Sequence, residues 1–429
     1  MCGLNFSPNR FDLKRMNEKI AHRGIRHKVK GNLGSVRLPI QGLDLKYDGP
    51  FDKGRWRIAY VGEVYGHNHE SDITYVIDAW DSEGIHPFKN FDGMWSFVLW
   101  DSLQGEYHVV TDHLAKKPLY INDRLQVSSE IKALIIPGQN EADELYYSWI
   151  ARTGFCPFEN TPFKNIKKIP PGSHWIIKNN EIIQKNTYKT ITPEPHGDVR
   201  DLLENAVKNR LTSDVPISIL CSGGIDSTIV YKLATQFIDD ITVVHVENDE
   251  SEYLEYLKPI KNLKMVEMEK GWLLSTVLYY NEGPADLGSM IPQYMMSKNL
   301  DANRTPVLLT GDGADECFLG YSRAQEYDSR YYDVFSELVY YHIPRLDKLS
   351  SAFTFELRSP FLSTKLVETA LWLKYEESKG KQVLKDSFKD IVPKEIIERK
   401  KQPLRFMSPR DMKWRYDLIK QCRKVTYEH

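Results

Sequence analysis

The feature that most constrains this chain is Ser222-Gly223-Gly224-Ile225-Asp226-Ser227. The six residues before it, 216–221, read Pro-Ile-Ser-Ile-Leu-Cys and suit a short buried strand. Residues 228–237 read as a helix, with Ile229, Val230, Leu233 and Ala234 at near-helical spacing. A strand, a glycine turn and a helix start make an anion site. The glycines let backbone N–H groups approach a phosphate, and the helix N-terminus adds partial positive charge. Ser222 and Ser227 contribute hydroxyl donors, and Asp226 suits a metal ion that bridges phosphates. A serine-capped glycine turn accounts for Ser-Gly-Gly alone, but not for five fixed positions in six. No Gly-x-x-x-x-Gly-Lys-Ser/Thr loop occurs, so kinase-type phosphoryl transfer has no visible site.

Helix and strand signals alternate around this loop. A helix is expected over 198–211 and strands over 216–221, 241–246 and 306–310, the pattern of a doubly wound parallel sheet. From residue 324 onward the chain reads as mainly helical and rich in Tyr. The preceding part differs. Short β-type runs at 56–61, 95–100, 107–111, 118–121 and 174–177 are separated by turns such as Phe91-Asp92-Gly93, with helices expected over 12–21 and 71–82. Thr192-Pro193-Glu194-Pro195-His196-Gly197 reads as a linker, which places domains over 1–190 and 196–429. A chain of 429 residues suits two or three domains and a sizeable core. The net charge of −2, without long runs of one sign, argues against a nucleic-acid or membrane-surface partner. Cysteines at 2, 156, 221, 317 and 422 show no paired spacing, which suggests a reducing compartment and no zinc site. With no apolar signal core at the N-terminus, a cytoplasmic location is expected.

Met1-Cys2-Gly3 is the second informative stretch. Once Met1 is removed, Cys2 carries a thiol and a free α-amine with a reference pKa of about 8. The amine can take the thiol proton directly or through a water, so one residue supplies nucleophile and base. In the other half, the 306–310 strand runs into Gly311-Asp312-Gly313-Ala314-Asp315-Glu316. Ligands sit beyond the carboxyl ends of strands in an open parallel sheet, so this turn is expected to face the 222–227 loop. Carboxylates clustered beside phosphates need cations, which points to Mg2+.

The first half also carries, in order, His22-Arg23-Gly24, Arg37-Leu38-Pro39-Ile40, Gly62-Glu63-Val64-Tyr65, Ser71-Asp72, Gly93-Met94-Trp95-Ser96-Phe97, Asp112-His113-Leu114 and Lys117-Pro118-Leu119-Tyr120. With Cys2, this half resembles the class II glutamine amidotransferase domain, an N-terminal nucleophile hydrolase. The 222–227 loop resembles that of the ATP pyrophosphatases, which cut ATP between the α and β phosphates. Together the two halves resemble the glutamine-hydrolysing asparagine synthetase family over most of the chain. The resemblance implies an α+β αββα sandwich, then an α/β doubly wound parallel sheet with a helical carboxy-terminal part. It implies a catalytic Cys2, Arg37 on the glutamine α-carboxylate, Glu63 and Asp72 on its α-ammonium, and the Gly62 N–H at the oxyanion. In the second half it implies ATP beside Leu220, Ser222, Gly223, Gly224, Asp226, Ser227, His245, Thr310 and Gly311, and Mg2+ on Asp226 and Asp315. Asp312 would assist proton transfer or order the site, and Lys381, within Lys379-Gly380-Lys381-Gln382, would stabilise the adenylated intermediate. Glu356-Leu357-Arg358-Ser359-Pro360-Phe361-Leu362 and Arg399-Lys400-Lys401-Gln402 resemble further family segments, and 282–292 matches a substrate-side segment loosely.

Three positions depart from the family pattern: Val61 where Asn supplies half of the oxyanion hole, Ser363 where Asp follows Phe-Leu, and Lys385 where Arg is usual. The expected reaction is ATP-dependent conversion of aspartate to asparagine, with ammonia from glutamine and a homodimer left open. Two alternatives stand beside it: a different acceptor carboxylate, or an ammonia-fed synthetase whose amino half no longer catalyses.

Overall fold

The computed structural model describes residues 2–247, 251–267, 274–285, 287–300 and 306–399. The strand Trp56–Val64 is apolar on both faces, so it must be covered twice. Ala59 and Val61 pack with Leu4, Phe6, Leu33, Val98 and Val109 into a core between two sheets. Ile58, Tyr60 and Val64 pack on the other side, with Val76, Ile77 and Trp80 of the helix Asp72–Glu83. The first sheet runs in the order Ile166–Lys168, Tyr120–Asn122, Val127–Ser128, Gly3–Phe6, Leu33–Arg37, Arg26–Lys30. The second runs Glu181–Thr187, Ser173–Lys178, Glu106–Thr111, Gly93–Asp101, Trp56–Val64, Phe51–Lys53. Both are antiparallel. The helix Leu13–Lys19 covers the outer face of the first sheet through Leu13 and Met16. This completes the αββα sandwich of an N-terminal nucleophile hydrolase.

The second half is built on five parallel strands in the order Asn262–Val266, Thr242–Val246, Ile217–Leu220, Val307–Leu309, Glu356–Arg358. One face carries Val207, Ile229, Leu233, Phe361 and Phe388, and the other carries Val244, Met296, Leu308 and Leu346. A sheet buried on both faces needs the near-continuous apolar runs that these central strands have. Strand addition switches sides at Ile217–Leu220, with the next strand in sequence on one side and Val307–Leu309 on the other. The 222–227 loop therefore lies at a topological switch point, where open α/β sheets place ligands.

Several element boundaries differ from the sequence expectation. The helix after the glycine turn begins at Ile225, not at 228, which brings Asp226 and Ser227 into its first turn. Residues 333–342 form a π-helical stretch inside the helical third. The edge strands Asn262–Val266 and Glu356–Arg358 are additions that the sequence reading did not contain. Met1, Lys400, Lys401, Gln402 and Cys422 lie outside the described residues, as does residue 286 of the 282–292 segment.

Candidate active sites

The phosphate-type loop is built by short local contacts. Gly223 takes φ +79°, which a side chain would resist. The Ser222 N–H donates to Ser227 Oγ at 3.1 Å, and the Gly224 N–H donates to Ser222 Oγ at 3.3 Å, so the two hydroxyls brace the turn. Gly311 then packs against it: a Cβ there would sit 2.8 Å from Asp226 Cβ and 2.9 Å from the Ser227 nitrogen. The acidic turn and the glycine loop thus touch. Thr310 is buried, and its N–H donates to the Arg358 carbonyl at 3.0 Å. Leu220 ends its strand half-buried. His245 is fully buried and bonds the Cys221 carbonyl at 2.7 Å and Ser251 Oγ at 2.8 Å, so it ties the neighbouring strand to the loop.

The Lys381 ammonium lies between two carboxylates, bonding Asp226 Oδ2 and standing 2.6 Å from Asp315 Oδ1. Lys381 adopts a left-handed conformation, φ +64°, which costs a non-glycine residue on the order of 1–3 kcal/mol. Its backbone N–H is fixed to the Phe318 carbonyl at 3.0 Å, which aims the side chain at the acidic turn. Burial opposes its charge, but Asp226 and Asp315 outweigh burial and raise its pKa. Gly320 leaves the room for this: a Cβ there would lie 2.0 Å from Asp315 Oδ1 and 2.3 Å from Lys381 Cε. Two carboxylates converging on one cation are a hard-oxygen donor set that fits Mg2+ together with phosphate oxygens. Asp312 lies in the acidic turn, where burial raises its carboxyl above the usual range against the pull of Thr310 and Arg345. Arg399 also reaches the loop, with Nη2 3.5 Å from the position of a Cβ on Gly224.

In the other half, Cys2 packs at the edge of the inter-sheet core, and its thiol reaches the Leu38 carbonyl at 3.5 Å. Gly62 pairs with Trp95 at φ +118°, and a Cβ would lie 1.8 Å from the Met94 carbonyl oxygen, so only glycine fits. Glu63 and Asp72 are both buried and lie side by side. Asp72 accepts from the Val64 N–H and from His67 Nε2, both at 2.9 Å. Burial first, then Asp72 and Glu356, push the Glu63 carboxyl well above its ordinary range, and Arg358 pulls it back. Such a carboxylate pair is relieved by an arriving cation, as an α-ammonium would be. Arg37 lies next to Leu38, but its guanidinium already holds Asp48 Oδ1 at 2.8 Å and the Gln41 and Gly42 carbonyls at 2.9 and 2.7 Å. In this arrangement it fastens the 41–48 loop.

The two halves meet through buried charge. Arg23, 1% exposed, donates to the Cys2 carbonyl at 2.9 Å, to Glu130 at 2.8 Å and to Asp347 of the second half at 2.7 Å. Asp347 also pairs with Lys117 at 3.4 Å. Arg358 pairs with Glu356 at 2.9 Å, caps the Arg210 and Thr212 carbonyls, and directs Nη2 to Glu63 at 3.6 Å. Glu282 anchors the interface, accepting from the Ile131 and Lys132 N–H groups and pairing with Lys348. Between the halves lies a small cleft lined by Tyr65, Met94, Lys117, Arg210, Thr310 and Ser359 among others. Met94 pairs with Glu63 in the sheet, and Thr310 opens the acidic turn, so the cleft adjoins both sites.

A family model described as asparagine synthase matches residues 198–336 and 328–426, and one described as glutamine amidotransferase domain matches residues 1–189. The chain belongs to the asparagine synthase family. Within that family it is 27% identical over 361 residues to asparagine synthetase 1 (glutamine-hydrolyzing) of Bacillus subtilis, covering 73% of this chain and 56% of that protein. It is 24% identical to asparagine synthetase B of Escherichia coli, covering 80% of this chain and 66% of the relative. It is 27% identical to amidase chyE of Penicillium rubens, covering 67% of this chain and 51% of the relative. The chain therefore spans between about half and two thirds of the length of these three proteins. Among the described residues no helix is long and apolar enough to cross a membrane.

Arg23, Asp347, Arg358 and Arg399 were given no role by sequence reasoning. Arg23, Arg358 and Arg399 sit inside stretches that carry the family resemblance, which was the available signal. That Arg358 meets Glu63 is a consequence of domain docking, and no local pattern encodes it.

Proposed function

We propose that this asparagine synthase family member amidates a carboxylate at the expense of ATP, with ammonia drawn from glutamine, and that the acceptor is aspartate. The observation that carries the reading is the interdomain cleft, which adjoins Glu63 through Met94 and the acidic turn through Thr310. In the amino half, the α-amine of Cys2 takes the thiol proton, the thiolate attacks the glutamine amide, and ammonia leaves as a thioester forms. Glu63 and Asp72 hold the substrate ammonium. Arg37 would hold its carboxylate by exchanging Asp48 for it. In the second half, the 222–227 loop receives the phosphates of ATP and Lys381 offsets the charge that develops at the α-phosphate. Mg2+ held by Asp226 and Asp315 would supply charge neutralisation of the departing pyrophosphate. The acceptor carboxylate displaces pyrophosphate to give an acyl-adenylate, and ammonia then displaces AMP.

A second reading, amidation of a different carboxylate, is favoured by the equal identity to an amidase and by Ser363 and Lys385. Incubation with ATP, Mg2+, glutamine and either aspartate or a panel of carboxylates, with mass identification of the amide, separates the two. Asparagine as the dominant product supports the first reading. A different amide supports the second, and pyrophosphate release with no acceptor removes both.

A further inference from the structure

Arg26 and Arg37 stand directly opposite each other on adjacent antiparallel strands. Like charges in that arrangement repel, and a carboxylate is needed to hold them together. Asp48 supplies it: its Oδ1 accepts from Arg37 Nη1 at 2.8 Å and from Arg26 Nη1 at 3.2 Å. The rest of the Arg37 fork is spent on backbone carbonyls, that of Asp44 at Nη1 and those of Gln41 and Gly42 at Nη2. Among the described residues no second carboxylate lies within ion-pair distance of either arginine. Two guanidiniums therefore share one negative charge in a cluster that is only 11–26% exposed, and one positive charge is left without a counterion. Charges this far from water call for a partner.

The position of the cluster indicates which anion. Leu38, next to Arg37, turns its carbonyl to the Cys2 thiol at 3.5 Å. Gly42, whose carbonyl Arg37 holds, packs against Ser71: a Cβ on Gly42 would lie 2.8 Å from Ser71 Cβ. Ser71 precedes Asp72, one of the two carboxylates read above as partners of the substrate ammonium. The Arg37 fork is thus one residue removed from a contact with the nucleophile and one from a contact leading to Asp72. An α-amino acid carries its ammonium and carboxylate on the same carbon and needs opposite charges arranged in this way. The loop that bears Asp48 has other anchors. The Gly42 N–H donates to Asp214 Oδ2 at 2.7 Å, and the buried Tyr47 bonds Glu70. The Asp48 side chain is therefore free to pass from one arginine to the other while the loop backbone stays fixed.

We propose that Asp48 is a built-in competitor for the glutamine α-carboxylate and sets the affinity of the amino half for glutamine. In the free protein it occupies Arg37. As glutamine binds, Asp48 withdraws onto Arg26 and the substrate carboxylate takes its place at Arg37 Nη1, so each guanidinium then holds one carboxylate. The exchange presupposes the amidotransferase reading above. It acts on binding and leaves the attack by Cys2 untouched.

The test is steady-state hydrolysis by the full, correctly processed chain of two substrates, glutamine and 4-aminobutanamide, which is glutamine without its α-carboxylate. Asp48→Asn should lower the glutamine KM by about three- to tenfold, with the change confined to KM. The same variant should treat 4-aminobutanamide as the wild type does, since that substrate has no carboxylate to compete. Arg26→Gln keeps Asp48 but removes its second seat, and should raise the glutamine KM by about threefold or more. In the Asp48→Asn background Arg26→Gln should have little effect. A glutamine KM that is unchanged or raised in Asp48→Asn overturns the proposal, because Asp48 would then only aim Arg37. An equal gain for both substrates overturns it as well, and so does an unchanged glutamine KM in Arg26→Gln. A wild-type protein that hydrolyses neither substrate removes the amidotransferase reading itself, whereas a working wild type with a silent Asp48→Asn removes this inference alone.

Discussion

The two candidate sites are assembled in opposite ways. The synthetase site is made within one domain from segments that are each continuous in sequence: the 222–227 loop, the 311–316 turn and Lys381. The loop and the turn meet because adjacent parallel strands deliver them to the same end of the sheet, and Lys381 reaches them from a short helical turn in the carboxy-terminal part. The glutamine site is made at a border. Cys2, Gly62, Glu63 and Asp72 come from the amino half. The charge opposing burial at Glu63 comes from Arg358, and Arg23 links the Cys2 carbonyl to Asp347. Arg358 also joins the two chemistries directly, since its side chain faces Glu63 while its carbonyl accepts from Thr310. The difference teaches that the second half is a structural part of the first half's site, whereas the phosphate site draws none of its named groups from the amino half.

Breaking the synthetase site should therefore spare glutamine hydrolysis. Asp226→Ala or Asp315→Ala should abolish ATP-dependent pyrophosphate release while glutamine hydrolysis continues, as read by parallel pyrophosphate and glutamate assays. Near-normal pyrophosphate release from either folded variant would remove the metal assignment. The reverse cut is Cys2→Ala, which should end glutamine-dependent amide formation and leave ammonium-dependent formation intact. Continued use of glutamine would require another nucleophile.

The border can be attacked without touching either centre. Asp347→Asn leaves Arg23 and Lys117 short of their shared carboxylate in a site that is about 2% exposed. Breaking one partner of a buried pair costs about 3–5 kcal/mol, readable as a lower denaturation midpoint. A variant as stable as the wild type would show that the buried network is not holding the halves together. A smaller effect concerns His113, which bonds the Phe88 carbonyl at 2.8 Å and Thr364 of the second half at 2.9 Å. Burial, then Lys116, lowers its pKa to about 3. The unfolded chain binds this proton near its reference pKa of about 6.5, so stability is full above that pH and declines as pH falls from about 6.5 toward about 3. The decline is about 1.4 kcal/mol per pH unit for this group, and His113→Gln should flatten it in denaturation midpoints taken at pH 7 and pH 5.

The legibility of the sequence follows the same division. The glycine turn, the acidic turn and the apolar strands before them are local patterns, so the parallel sheet and the phosphate-type site could be read from residues. The start of the helix was placed three residues late because Ile225-Asp226-Ser227 reads as loop until backbone N–H groups need it as a first turn. The Glu356–Arg358 strand was not legible because it has only three residues and both charged ends are buried as ion pairs. Arg37 is the residue type that suits a carboxylate, and the partner it has in this structure, Asp48, lies eleven positions further along the chain, which no local pattern announces.

The claim that the second half completes the glutamine site is tested most directly by glutamine binding to full-length Cys2→Ala protein, measured by calorimetry between pH 5 and pH 9 with and without Arg358→Met. Arg358 is the charge that pulls the Glu63 carboxyl down, so its loss moves that carboxyl further up. The acid limb of binding should then shift to higher pH. Affinity near neutral pH should fall by at least about tenfold, the equivalent of one pKa unit, and the gap should narrow as pH rises. Arg358→Lys should restore part of the loss. Identical pH profiles with and without Arg358 would contradict the account.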